Sequence, residues 1–112
     1  MKIGIDARFL GPKGTGLGRY VQELIANLEI LDKKNEYIIY SMRRSLKDLG
    51  IENNNLRYRS IPDLFKYRHQ WMGSWVSWYY SGIAAQLLID RPDVFLSPYL
   101  VLPWYCSCPK IT

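Results

Sequence analysis

The sequence predicts an α/β fold, an open parallel sheet with helices on both faces. Three observations predict it: a short apolar run at residues 2–7, a glycine-rich loop feeding a helix-periodic stretch, and a β-rich run at residues 36–42 directly after that helix. Strand, helix and strand in that order make a βαβ unit, which requires a crossover and a parallel sheet.

Each element has a local reason. Ile3-Gly4-Ile5-Asp6-Ala7 is apolar except at its carboxyl end, where Asp6 and Arg8 enter. In an open parallel sheet that end is where ligands bind, although the two residues also suit mutual pairing or capping of nearby backbone. Residues 11–18 hold Gly11, Gly14, Gly16 and Gly18 and read as a loop whose missing side chains leave backbone N–H groups approachable. In the helix that follows, Leu17, Tyr20, Val21, Leu24, Ile25, Leu28 and Leu31 share one face, and Arg19, Gln22, Glu23 and Asn27 the other. Thr15 is placed to be its N-cap.

Residues 32–35 form a turn, Tyr37-Ile38-Ile39-Tyr40 the heart of a second strand, and residues 45–49 a short helix ending at Gly50. After the Asn53-Asn54-Asn55 turn, residues 56–61 alternate as a third strand that Pro62 ends. A helical stretch over residues 63–89 carries Trp71, Trp75 and Tyr79 at four-residue steps. It reads as an aromatic stripe against the sheet or a partner domain, with membrane-surface docking as the alternative. Arg91-Pro92-Asp93 closes it. Val94-Phe95-Leu96 is then a buried strand whose end, Ser97-Pro98-Tyr99, opens onto the same sheet edge as the glycine loop. Residues 110–112 begin one more strand.

With 112 residues, 48% of them hydrophobic, the chain can bury a real core and is neither disordered nor fibrous. The net charge of +5 is scattered. Arg43, Arg44, Lys47, Arg57, Arg59, Lys66 and Arg68 come nearest to a basic surface and read as a solvated face rather than a nucleic-acid site. No signal peptide or bilayer-spanning run is present in these residues, so a cytoplasmic location is expected, with peripheral membrane contact through the tryptophans as an addition. Cys106 and Cys108 lack the second ligand pair of a zinc site and read as reduced thiols. His69, the lone histidine, lies in a polar run with no acid nearby to orient it and reads as a surface residue.

The glycine loop fits neither common nucleotide motif. Gly11 and Gly16 have P-loop spacing, but Leu17-Gly18 stands where Lys and a hydroxyl are needed. The dinucleotide fingerprint is approached by Gly14-x-Gly16-x-Gly18, but the second strand ends at Tyr40-Ser41 instead of an acid. A dinucleotide-binding oxidoreductase and a non-catalytic docking module stay open as alternatives on these features.

Three stretches carry a resemblance: Met1-Lys2-Ile3-Gly4-Ile5-Asp6-Ala7-Arg8-Phe9, Gly14-Thr15-Gly16-Leu17-Gly18-Arg19-Tyr20-Val21-Gln22-Glu23-Leu24, and Arg91-Pro92-Asp93-Val94-Phe95-Leu96-Ser97-Pro98-Tyr99. Together they resemble the N-terminal domain of the retaining glycosyltransferases of family 4. The resemblance implies a GT-B architecture of two Rossmann-like domains, of which residues 1–112 would be part of the N-terminal, acceptor-side one. It implies a nucleotide-sugar donor, a glycan or lipid-linked acceptor, and a role in polysaccharide or cell-envelope assembly without a metal ion. Thr15, Gly16, Leu17 and Gly18 would meet the donor diphosphate, with Asp6, Arg8, Arg19, Ser97, Pro98 and Tyr99 on the acceptor side. The family's His-Asp pair and donor-binding C-terminal domain are not within these residues, and no histidine flanks Ser97-Pro98. The 112 residues are therefore expected to be inactive by themselves.

Overall fold

The computed structural model describes residues 1–8, 10, 16–41, 55–61, 82–99, 102–103 and 105–112. Within them lie strands β1 (Lys2–Asp6), β2 (Glu36–Ser41), β3 (Leu56–Ser60), β4 (Val94–Leu96) and β5 (Lys110–Ile111), with helices α1 (Gly16–Leu31) and α2 (Ile83–Asp90). The strands form one sheet in the order β3-β2-β1-β4-β5, and every pairing is parallel. The expected α/β open sheet is therefore present. The stretches expected as a helix over residues 45–49 and as the tryptophan-rich part of the helix before residue 82, together with Thr15 and His69, lie outside the described residues.

Alternation along β2 explains how both faces are covered. Tyr37 and Ile39 join Ile5, Ala7, Val21 and Ile25 in the core under α1. Ile38 and Tyr40 point the other way and join Phe95 with Ile83 and Leu87 of α2. Neighbouring residues of a strand face opposite sides, so a sheet buried on both needs the nearly continuous apolar run seen here. Gly4 faces this second layer at close range. A Cβ there would stand 3.0 Å from Tyr40 Cε2 and 3.2 Å from Phe95 Cδ2.

The amino edge of the sheet is held by two carboxylates. Asp32 ends α1 by accepting the backbone N–H groups of Lys34 and Asn35, the Asn35 side-chain amide, and the Tyr37 hydroxyl at 2.6 Å. These bonds, led by that of Tyr37, hold its carboxyl far below the usual range. Asp90, buried at the end of α2, accepts the Tyr40 hydroxyl at 3.2 Å and the Gln86 amide at 3.1 Å, and it pairs with Arg59 at 3.1 Å. Arg91 then stops the helix in the left-handed region at φ 48°, donating its N–H to Leu87 O.

Two expectations need correction. The glycine loop does not run to Gly18, because α1 begins at Gly16 and takes Gly16 and Gly18 into its first turn. The apolar face of α1 is narrower than its periodicity implies: Val21 and Ile25 are buried, but Leu17, Tyr20 and Leu31 are 49%, 56% and 80% exposed. Only the centre of a stripe more than 100° wide reaches a flat sheet, which leaves its flank outside. Arg57 and Arg59 are exposed, as a solvated face requires, and each also holds a carboxylate, Glu36 at 2.6 Å and Asp90 respectively.

Candidate functional site at the carboxyl edge of the sheet

The strand order creates a switch point. From β1 the chain builds outward on one side through β2 and β3, then returns to the other side of β1 as β4. Connections therefore leave β1 and β4 in opposite directions, the arrangement in which open α/β sheets place a ligand crevice between the carboxyl ends of two strands. The helix α1 must run back to the start of parallel β2, so its amino end lies at this same edge.

Polar residues line the edge strand by strand: Ser60, Ser41, Asp6 and Ser97 stand at or just past the ends of β3, β2, β1 and β4. Ser41, Asp6 and Ser97 are buried. Asp6 Oδ1 accepts the backbone N–H of Arg8 at 3.1 Å, which turns the chain as β1 ends, while the Ala7 N–H continues to Tyr40 O at 2.8 Å. The capping use of Asp6 expected from the sequence is thus realised, and it aims the Arg8 side chain across the crevice. Its guanidinium lies 5.7 Å from the centre of the Tyr99 ring, within the range of a cation–π contact.

Tyr99 is brought there by a tight turn after β4, in which the Ser97 hydroxyl donates to Tyr99 O at 3.4 Å. Its ring packs in the core shared by Leu10 and Val21, so the turn after β4, the segment after β1 and the first half of α1 meet in one cluster. Of the residues singled out beforehand, Asp6, Arg8, Ser97, Pro98 and Tyr99 converge on the two ends of β1 and β4. Arg19 does not join them: it is exposed on the face of α1 turned away from the sheet. Ser41 joins the buried row although its sequence context offered only the absence of an acid at that position.

Gly16 and Gly18 differ in their surroundings. Gly18 is buried, whereas among the described residues a Cβ on Gly16 would meet nothing within 4 Å. Packing of the described residues would admit a side chain at Gly16, and its glycine leaves that space unfilled. The first N–H groups of any helix lie beyond the reach of its own i→i−4 ladder and at the positive end of its dipole. A buried guanidinium, a helix start and a row of hydroxyls around one crevice are chemistry for an oxygen-rich anion.

Among the described residues no group of three or more His, Cys, Asp or Glu side chains could hold a metal ion, and no helix is long and apolar enough to cross a membrane. The fold and the edge together define an open, Rossmann-like α/β sheet with a polar switch-point crevice. The chain matches no protein-family model, no curated protein and no solved structure.

Proposed function

We propose that this chain is the acceptor-side, N-terminal part of a nucleotide-sugar-dependent glycosyltransferase, and that the first turn of α1 receives the diphosphate of the donor. The observation that carries the reading is the open space at Gly16, on the helix start that shares an edge with Asp6, Arg8 and Ser97. As the glycosidic bond to the donor breaks, negative charge grows on the departing nucleoside diphosphate. Preorganised N–H groups of Gly16 and Leu17 would stabilise that charge without reorganising, with Gly18 packed behind them in the same turn, and removing one such donor typically costs roughly 10²–10³ in turnover. Thr15 completes the loop in this reading. Arg8, Asp6, Ser97, Pro98 and Tyr99 border the acceptor, with the Arg8 cation suited to an acceptor bearing phosphate.

The resemblance in three sequence stretches supports the reading, as does their convergence on one crevice. A role in polysaccharide or cell-envelope assembly, a donor-binding partner domain and action without a metal ion belong to the same proposal. The test compares Gly16→Ala and Gly16→Val with wild type in the complete protein. Because space is open at this position and alanine favours helix over glycine by up to about 1 kcal/mol, Gly16→Ala should fold at least as well as wild type. Binding of UDP- or GDP-sugar measured by titration calorimetry should fall in Gly16→Val, where the branched side chain covers the N–H groups. Unchanged donor affinity and turnover in a folded Gly16→Val protein would overturn the assignment, and tight binding of NADH in place of a nucleotide sugar would favour an oxidoreductase.

A further inference from the structure

Away from the crevice, the half of the sheet made by β4 and β5 is covered on one face only. α2, which precedes β4, packs Ile83 and Leu87 into the core on the Tyr40 side, and Cys106 and Cys108, on the way from β4 to β5, pack against that same core. Both connections therefore lie opposite α1, as right-handed crossovers require when the chain steps from β3 back past β1 to β4 and on to β5. On the α1 side, Leu96 packs against the core of Ile5 and Val21, Val94 shares its face by alternation, and Ile111, paired with Leu96, shares it by register. None of the three is fully buried, and Ile111 is 52% exposed.

α1 forms a wall beside this open floor. At about 100° per residue, Leu17, Tyr20, Leu24, Leu28 and Leu31 make a stripe set about 80° to one side of the buried line through Val21 and Ile25. α1 lies over β1 and β2, burying Ile5 and Ile39 beneath Val21 and Ile25. In a right-handed β1–α1–β2 unit, the side of the helix that carries the stripe is the one turned toward β4 and β5. The exposed Leu17, Tyr20 and Leu31 thus line an apolar trough floored by Val94, Leu96 and Ile111. We propose that this trough is the docking site of an amphipathic α-helix from a partner protein, which lies alongside α1 over β4 and β5.

Width, area and charge fit that occupant. Strands about 4.8 Å apart put the line between β4 and β5 about 10 Å from the line between β1 and β2, the spacing of two packed helices. The apolar surface that wall and floor leave open is on the order of 500 Å², close to the roughly 600 Å² per partner at the lower bound of stable interfaces, which suits a single helix. Glu23 and Asn27 stand exposed on α1 above the apolar stripe, so a lysine or arginine along the upper edge of the incoming helix meets a carboxylate. A second copy of the chain fits less well. Its α1 already lies on its own sheet, so entering the trough would press Arg19, Glu23 and Asn27, on the opposite side of that helix, against the apolar floor. Its α2, at 8 residues, is half the length of the 16-residue α1 wall.

The probe is a fluorescein-labelled peptide of about 18 residues with leucine on one helical face and lysine and glutamine on the other. Its control has the same composition with the leucines spread evenly around the helix. Titrated with the full chain and followed by fluorescence anisotropy, the amphipathic peptide should bind at least about tenfold more tightly than the control. Leu31→Glu on the wall and Ile111→Glu on the floor should each weaken its binding by at least about tenfold. Both side chains are already largely exposed, so circular dichroism of the two variants should match wild type. Equal binding of the two peptides, or indifference to both substitutions, would overturn the proposal. So would concentration-dependent dimerisation in sedimentation equilibrium that Leu31→Glu abolishes, which would make a second copy the occupant. Flotation of the chain with phosphatidylglycerol vesicles, lost in the same variant, would overturn it in favour of a membrane surface.

Discussion

Replacing Gly4 by alanine tests how rigidly the second core layer is built. The new methyl carbon would stand 3.0 Å from Tyr40 Cε2, 3.2 Å from Phe95 Cδ2 and 3.5 Å from Pro92 Cγ. Carbon atoms prefer separations of about 3.5–4.0 Å, so the two aromatic contacts must each give by some tenths of an ångström. Neither ring is free to do so. Tyr40 is anchored at its far end by the hydrogen bond from its hydroxyl to Asp90, and Phe95 is buried with its ring centre 6.2 Å from that of Tyr40. Overpacking of this kind costs about 1–3 kcal/mol, and the lower unfolded-state entropy of alanine returns about 0.5–1 kcal/mol. The net loss of about 1–2 kcal/mol should lower Tm by roughly 5–15 °C in a domain of this size. Thermal and urea unfolding followed by circular dichroism measure it. In a Tyr40→Phe background the ring loses its anchor and can pivot, so the cost of Gly4→Ala should shrink by about 0.5–1 kcal/mol, which a double-mutant cycle reads directly. A Tm for Gly4→Ala within about 2 °C of wild type would refute the picture of a pinned ring over the glycine.

Two further outcomes follow from the amino edge. Asp90→Ala leaves the buried Tyr40 hydroxyl without its acceptor and removes the ion pair of a half-exposed Arg59, so a loss of about 2–4 kcal/mol is expected by urea unfolding; Asp90→Asn, which keeps an acceptor, should cost less. Burial, then the bond and charge of Asp32, push the Tyr37 phenol up to about 12 from an ordinary 10. Because its folded value is raised, its contribution to stability should be complete below about pH 10 and disappear as pH climbs through about 12, while that of the depressed Asp32 carboxylate should be present above about pH 4 and fade as the solution is acidified. Tyrosinate absorbance should therefore show a component titrating near pH 12 in wild type that Tyr37→Phe removes, whereas the Tyr40 phenol, raised further still by burial and Asp90, titrates later in both proteins; persistence of the component near pH 12 in that variant would contradict the assignment.

Much of the fold was legible because apolar runs and their alternation depend on local spacing. Tyr37-Ile38-Ile39-Tyr40 and Val94-Phe95-Leu96 announce strands, and the structure places them in the sheet, the first buried on both faces and the second with Phe95 buried and Val94 and Leu96 half-buried. The convergence of the ends of β1 and β4 was legible for a similar reason, since parallel strands must finish at one edge. The end of the glycine loop was less legible: an N-cap at Thr15 implies a helix from Gly16, where α1 begins, yet Gly16 and Gly18 are poor helix formers and read equally as loop. The pairing of Arg59 with Asp90, or of Arg8 with the Tyr99 ring, was not legible, since those partners lie far apart in sequence and are joined only by strand order. Likewise, exposed Leu17 and Tyr20 obey the same periodicity as buried Val21, and nothing in that period says where the sheet ends.

The central position of β1 has a consequence for how the chain is made. Its partners on the two sides are residues 36–41 and residues 94–96, so during synthesis one flank can pair early and the other only after most of the chain has left the ribosome. Until then, the backbone of Ile3, Gly4 and Ile5 presents a naked ribbon margin to the cell, open to the wrong neighbour. Slow translation between residues 41 and 94 should lengthen that exposure, and a chaperone that shields the opening residues should relieve it.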